Sequence, residues 1–165
     1  MPTRTRGRIL TAAFLTAILS APALPAQAAP PETFPAGLAC DFEMEMAVIP
    51  GGHIVNREFR DADGNVVRVL QAGRGEALTF TNLETGAEAS SRSSGFAIQT
   101  KFNPDGTVTV TMSGNTLLIM FPTDIPAGPT TTIHTGRVTF DVSTEGVFTL
   151  AKSSGRTRDI CAELG

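Results

Sequence analysis

From residue 40 onward, apolar and polar residues alternate in short stretches that are separated by turn residues. The clearest stretch runs from Cys40 to Val48, where every second residue is apolar and three of the residues between them are acidic. A period of two is typical of a half-buried β-strand. No stretch after residue 28 keeps a helical period for three turns, and only Asp159 to Leu164 predicts a single helical turn.

Turn-forming residues recur at intervals of about eight to twelve residues, which is typical of an antiparallel sandwich or barrel. The turns are Pro50-Gly51-Gly52, Asp63-Gly64, Gly73-Arg74-Gly75, Glu84-Thr85-Gly86, Ser94-Gly95, Asp105-Gly106, Ser113-Gly114 and Glu145-Gly146. The stretches between them predict about ten strands, with hairpins between neighbours in sequence.

The turn at Asn103 to Gly106 fixes the register of one hairpin. Its residues suit a three-residue loop in which Gly106 takes a positive φ. That loop pairs Phe102 with Val108, Thr100 with Val110, and Ile98 with Met112. The large apolar side chains then share one buried face, whereas a slip of one residue would scatter them.

The turn at Asp61 to Gly64 follows the same logic. It predicts that Phe59 pairs with Val67 and Arg57 with Val69 on the inner face. Arg57 would then point inward.

An up-and-down antiparallel barrel is the favoured all-β fold, and a β-sandwich is the alternative. The remaining predicted strands are Ala77–Leu83, Ala87–Ser93, Thr116–Phe121, Thr130–Val142 (with a break at Gly136 as an alternative) and Val147–Lys152. Only Pro122–Pro129 is long enough for a Greek-key crossover, which favours the barrel.

The first 28 residues have the pattern of a signal peptide. A basic segment precedes an apolar core at Ile9–Leu19, and Ala26-Gln27-Ala28 fits a cleavage site. The chain then divides into a signal peptide (1–28), a proline-rich extended leader (29–39) and one β domain (40–165), and the protein is expected to be secreted. The alternative is a cell-surface lipoprotein lipidated at Cys40, which Gly37 disfavours because that position requires a large aliphatic residue.

Export places the two cysteines in an oxidising compartment, where Cys40 and Cys161 are predicted to form a disulfide. The bridge would join the first strand of the domain to its last residues. It requires the two Cα atoms to lie within about 7 Å of each other.

Charge and composition exclude several partners. The signal peptide carries three of the 13 basic residues and none of the 16 acidic ones, so residues 29–165 have a net charge of −6. An acidic domain without a basic run argues against nucleic acid and against an anionic membrane surface. No apolar span remains after processing. The absence of Trp and Tyr disfavours carbohydrate and biotin-type ligands, whose sites use such rings.

Arg57 and His134 are the candidate ligand-binding residues. Both fall on alternating strand positions that are predicted to face the interior. There, Arg57 could hold a ligand carboxylate and His134 could exchange protons. The alternatives are that Arg57 reaches water near a strand end and that a bulge at Gly136 turns His134 outward.

The segment Pro122–Pro129 is a candidate partner-binding loop, with Pro122, Asp124, Pro126 and Pro129 as its marked residues. Its prolines hold it stiff, which reduces the entropy lost on docking. The alternative is a rigid connection between strands.

No motif predicts a catalytic residue, a metal site or a cofactor. Asp61 to Asn65 superficially resembles a calcium loop, but its glycine is fourth rather than sixth and Ala72 stands where a bidentate Glu is needed. The two histidines, His53 and His134, lack metal-ligand spacing, and no nucleophile elbow or phosphate loop is present.

The basic N-terminus, the strand Cys40–Val48, the segment Phe121–Pro129 and the end Gly155–Cys161 together resemble uncharacterised secreted proteins of high-GC Gram-positive bacteria. The resemblance implies export and a β fold, and no activity. The favoured hypothesis is a secreted, non-catalytic β-barrel domain that binds a protein partner or a small ligand. The alternative is a small barrel enzyme with His134 as acid–base and Arg57 as anion stabiliser.

Overall fold

Ten β-strands and one short C-terminal helix make up the protein in a computed structural model that describes residues 29–165. The elements are β1 (Glu32–Phe34), β2 (Met44–Ile49), β3 (His53–Arg60), β4 (Val66–Arg74), β5 (Ala77–Asn82), β6 (Glu88–Ser91), β7 (Gly95–Phe102), β8 (Val108–Met120), β9 (Thr130–Val142), β10 (Phe148–Asp159) and α1 (Ile160–Leu164). The predicted signal peptide, residues 1–28, lies outside the described residues. No helix in residues 29–165 combines the length and apolar character needed to cross a membrane.

The strands form two antiparallel sheets, with the orders β1-β2-β5-β6 and β10-β9-β8-β7-β4-β3. The all-β prediction is confirmed, but the closed barrel is wrong, and the sandwich alternative fits. An up-and-down barrel requires every strand to pair with its neighbour in sequence. Here β2 and β3, β4 and β5, and β6 and β7 lie in different sheets, because the chain changes sheet at these three short connections.

The hairpin between β7 and β8 has the predicted register. Phe102 lies opposite Val108, Ile98 opposite Met112, and Gly106 has a φ of +85°. Hydrogen bonds from the hydroxyl and backbone N–H of Thr107 lower the pKa of Asp105, so its carboxylate stabilises the turn at neutral pH and this contribution is lost as the pH falls through the lowered pKa. The expected burial of Phe102 is wrong, since its surface is 42% exposed at the end of the sheet.

The hairpin between β3 and β4 has the predicted turn but not the predicted register. Asp61 N–H donates to Asn65 O at 3.0 Å, and Arg60 lies opposite Val66. A bulge then places Phe59 opposite Arg68 and Arg57 opposite Leu70. The predicted pairs with Val67 and Val69 are therefore wrong, because one additional residue on β4 shifts the register and exchanges the two faces of that strand.

A row of glycines crosses the six-stranded sheet. Gly73, Gly114, Gly136 and Gly155 lie in register on four strands, with Phe96 in the same row, and all four glycines have positive φ. A Cβ atom on any of them would collide with the backbone of the neighbouring strand. The long strands stay continuous through this row, so β9 is not broken at Gly136 and the predicted strand at 116–121 is the second half of β8.

The buried side chains form two clusters. One lies between the small sheet, α1 and the adjoining halves of β8 and β9, and includes Phe80, Met44, Ile133 and Ile160. The other lies on β8, β9 and β10, around Met112, Val138 and Phe140. Residues of the proline-rich leader contribute to the first cluster: β1 pairs with β2, and Phe34 is buried there.

The predicted disulfide between Cys40 and Cys161 is confirmed, with 5.5 Å between the Cα atoms and 121 residues of sequence separation. The predicted C-terminal turn is also confirmed as α1. Asp159 caps it by accepting a hydrogen bond from Ala162 N–H at 3.0 Å, and Ile160 and Leu164 anchor it in the core.

Candidate functional site

Arg57 lies in solvent on β3, an edge strand of the six-stranded sheet, rather than in an interior. Its guanidinium carbon is 5.0 Å from the centre of the Phe59 ring, and the guanidinium carbon of Arg68 is 3.9 Å from the same ring. Both distances fit cation–π contacts. The inward orientation is wrong and the alternative, in which Arg57 reaches water, fits. A role for Arg57 in ligand binding stays a prediction.

His134 is buried, with 3% of its surface exposed, and the alternative of a bulge at Gly136 that turns it outward is wrong, since β9 keeps its register there. Strand β10 engages both ring nitrogens of His134. Nε2 lies 3.1 Å from Ser154 O, and Nδ1 lies 3.1 Å from Thr157 Oγ1. Because a backbone carbonyl only accepts, Nε2 donates to Ser154 O, and Nδ1 pairs with the Thr157 hydroxyl. The imidazole therefore joins two strands.

Arg57 and His134 do not come together. Three strands, β4, β7 and β8, lie between β3 and β9, which separates the two residues by about 19 Å across the sheet. One small molecule cannot reach both groups at once.

The segment Pro122–Pro129 is fixed to the sheet from its centre. Asp124 is buried, and its carboxylate accepts from Phe121 N–H at 2.6 Å and Phe148 N–H at 3.2 Å. Ile125 N–H donates to Phe148 O, and Leu150 N–H donates to Ile125 O. Pro122 and Pro126 are exposed and Pro129 is half-buried. These contacts support the rigid connection, and partner binding by this segment stays a prediction.

A different surface combines charge with accessibility: the face of the six-stranded sheet on which Arg57 lies. Residues opposite one another on paired strands project from the same face. One row across the sheet is Arg57, Leu70, Gln99, Thr111, Thr139 and Lys152, and the next is Phe59, Arg68, Lys101, Thr109, Asp141 and Thr149. A third row holds Ala72, Ala97, Ser113 and Arg137. We call this surface the cationic face.

The cationic face has the opposite charge to the domain. It carries Arg57, Arg68, Lys101, Arg137 and Lys152 but only one acidic residue, Asp141, which accepts a hydrogen bond from the Thr109 hydroxyl at 2.7 Å. The two ion pairs within residues 29–165 join Arg60 to Glu58 and Arg158 to Glu163, so neither neutralises one of these five cations.

Arg68 and Lys101 lie directly opposite each other on β4 and β7. Like charges in direct cross-strand register are destabilising, by roughly 0.2–1 kcal/mol. The Phe59 ring offsets part of this cost by contacting Arg68, but no acidic side chain in their row lies nearer than Asp141, two strands from Lys101. The arrangement is suited to a negatively charged group bound between the two cations.

Two concavities lie on the surface between the cations, one with a mainly polar lining and one with a mainly apolar lining. One concavity of about 360 Å³ is lined by Leu70, Ala97, Gln99, Thr111, Ser113 and Arg137. A second, of about 460 Å³, is lined by Phe59, Val67, Arg68, Gln99, Lys101, Phe102 and Pro104. Gln99 lines both concavities, so the two adjoin at this residue, and we call them together the groove. Hydroxyl groups lie along the polar concavity. The hydroxyl oxygens of Thr111 and Thr139 are 3.2 Å apart, and Arg137 Nε donates to Ser113 Oγ at 3.4 Å.

The sequence offered only a weak signal for this site. Its cations come from five different strands, between residues 57 and 152, so no basic run marks them. Within a single strand the only signal is that residues two apart, such as Gln99 and Lys101, project from the same face of the sheet. Because of the bulge near Val67, the sequence pattern pairs β3 with β4 in the wrong register and places Arg57 on the wrong face of the sheet.

In residues 29–165 no three His, Cys, Asp or Glu side chains converge as metal ligands. No family model, no curated protein and no solved structure matches this chain.

Proposed function

We propose that the protein is a secreted, non-catalytic binding domain that holds an anionic partner on its cationic face. The observation that supports this most directly is the concentration of five exposed or half-exposed cations, with one anion, on a grooved sheet surface. The Cys40–Cys161 disulfide is consistent with an oxidising extracellular location.

The charge of the whole domain makes such binding directional. Nine of the ten basic residues in 29–165 lie on strands of the six-stranded sheet, whereas the strands of the small sheet carry Glu32, Glu45 and Glu88 and no basic residue. A polyanion is therefore attracted to one side of the protein and repelled from the other. A uniformly basic protein would lack this orientation.

The enzyme alternative has less support. Its two residues, Arg57 and His134, are separated by three strands, and the His134 ring nitrogens are engaged by Thr157 and Ser154. A general base must lie within hydrogen-bond reach of the proton it removes. A buried imidazole that joins two strands fits a structural role better.

Charge reversal on the cationic face tests the proposal. The variant Arg68→Glu/Lys101→Glu is compared with Arg60→Glu/Arg92→Glu, which makes the same change in net charge at exposed positions away from this face. The probes are immobilised polygalacturonate, polyglutamate and polyphosphate at low salt. We expect at least one polymer to bind the wild type and the control, and the face variant to bind it about tenfold more weakly or worse.

Two results contradict the proposal. One is that none of the three polymers binds the folded wild-type protein. The other is that both double variants lose affinity equally, because the loss would then reflect net charge rather than this face.

A further inference from the structure

We infer that the anionic partner is a linear acidic glycan, a chain of hydroxylated sugar units carrying carboxylate or sulfate groups, which lies along the groove of the cationic face. This inference rests on the proposed function and adds the chemical class of the ligand. It is argued from the spacing of the cations, from the groups between them and from what the face lacks.

The spacing of the cations requires an extended ligand. Arg137 shares a row with Ala97 on β7, and Lys101 lies four residues further along that strand. The two positively charged residues are thus about 13 Å apart along the strands and about 10 Å apart across them. Arg68 lies opposite Lys101 and Lys152 lies opposite Thr139, so positive charge borders the groove at both ends. A single small anion cannot contact both ends, whereas a chain with repeated charges can.

The groups between the cations are suited to a polyol. Gln99 lines both concavities, the hydroxyls of Thr111 and Ser113 line the polar one with it, and Thr139 lies opposite Thr111 on the next strand. An amide both donates and accepts hydrogen bonds, and so does each hydroxyl. Sugar hydroxyls offer the same pair of roles at every unit, so this lining can satisfy them where an apolar floor would leave them without partners.

The face lacks the features of other polyanion-binding surfaces. Protein interfaces depend on aromatic or Arg anchors that fill dry central pockets. Here the concavity around Gln99 and Thr111 is mainly polar and has no aromatic ring in its lining, and the apolar side chains Phe59, Val67, Phe102 and Pro104 line the second concavity instead. Single-stranded nucleic acids are held on stacked aromatic rings, and the chain has no Trp or Tyr. The absence of Trp and Tyr also disfavours a carbohydrate held by ring stacking, so an acidic glycan would have to be recognised through ion pairs and hydrogen bonds, and its affinity should fall as salt is added.

Neutral substitutions separate glycan recognition from simple charge attraction. The variant Gln99→Ala/Thr111→Val removes the central hydrogen-bonding groups without changing charge, and Gln71→Ala/Thr100→Val makes the same changes on the opposite face of the sheet. Binding is measured to polygalacturonate, a sulfated glucan, polyglutamate, polyphosphate and duplex DNA of matched charge, together with monomeric galacturonate. We expect the groove variant to bind an acidic glycan about tenfold more weakly, which corresponds to one or two hydrogen bonds, with polyglutamate binding and the control variant unaffected.

The outcomes distinguish the two proposals. Tighter binding of polygalacturonate or of the sulfated glucan than of the other polymers supports the inference and identifies the anionic group. Equal or tighter binding of polyglutamate, polyphosphate or DNA overturns the glycan assignment and leaves the proposed function intact. Monomeric galacturonate binding as tightly as the polymer overturns the extended site. Absence of binding to every polyanion overturns both proposals.

Discussion

At the scale of single residues, the conformation of Gly106 shows how one position closes a hairpin. Its φ of +85° is accessible to glycine and costly for a residue with a Cβ atom. A Cβ there would also come within 3.3 Å of the Thr144 side chain in the neighbouring turn. By contrast, Gly95 begins β7 without a positive φ, and an added Cβ meets only Gly73 O at 3.9 Å.

We expect Gly106→Ala to lower the free energy of unfolding by about 1–3 kcal/mol, because the strained φ would have to be kept by a residue with a Cβ. Gly95→Ala is the matched control and should leave stability within about 1 kcal/mol of the wild type. Urea unfolding of the disulfide-bonded protein measures both. An equal loss in the two variants would contradict the turn assignment.

Single residues also explain why the register of the β7–β8 hairpin could be predicted from the sequence and that of the β3–β4 hairpin could not. At Asn103 to Gly106, turn chemistry and the apolar pattern agree on one register, so the pairing of Ile98 with Met112 was predictable. At the start of β4, Val66 and Val67 are both apolar, so the pattern fits either face of the strand. No glycine marks the bulge there, and the register of Arg57 could not be read from the sequence.

At the scale of elements, the glycine row sets the path of β8, β9 and β10. The backbones of neighbouring strands approach so closely at Gly114, Gly136 and Gly155 that no side chain fits between them. Gly114, Gly136 and Gly155 have positive φ at the same level of the sheet, so the three long strands share this unusual conformation. The strand halves on either side of the row then contribute to two different core clusters.

Gly136→Ala is therefore expected to destabilise the protein more than Gly64→Ala. Both positions have positive φ, but Gly64 has open space around it, whereas a Cβ on Gly136 would meet the carbonyl of Ser154. The overpacking adds about 1–3 kcal/mol to the penalty that the two share. The difference between their urea midpoints measures this added cost, and equal midpoints would mean that the strands are not in close contact at this row.

The choice of sheet for each strand was the part of the fold that the sequence could not predict. The connections Pro50-Gly51-Gly52 and Gly73 to Glu76 contain the residues of tight hairpin turns, yet the first carries the chain from the small sheet to the large one and the second carries it back. A short glycine-rich turn is compatible both with a hairpin within one sheet and with a crossing from one sheet to the other. The difference depends on packing between distant strands. The cationic face depends on the same long-range pairing, and for this reason its residues are dispersed along the chain.

At the scale of the whole molecule, the disulfide should provide a large part of the stability. A bridge that closes a loop of this length is worth about 4 kcal/mol or somewhat more in the chain-entropy account. We expect Cys40→Ala/Cys161→Ala to lose about that amount in urea unfolding, seen as a lower midpoint.

Thiol titration provides the control for this prediction. The unreduced wild-type protein, once unfolded, should show no free thiol, and reduction should release two. Two free thiols before reduction would contradict the bridge.

The position of the bridge also determines what happens when the backbone is cut. Residues 40–161 form a covalent ring, and the exposed hairpin tips at Asp63, Asp105 and Glu145 all lie within it. Exposed tips of this kind are where proteases cleave first. A ring that is cut once remains a single molecule, so one cleavage at any of these tips releases no fragment, and the two new ends stay attached to sheets that already hold their neighbours.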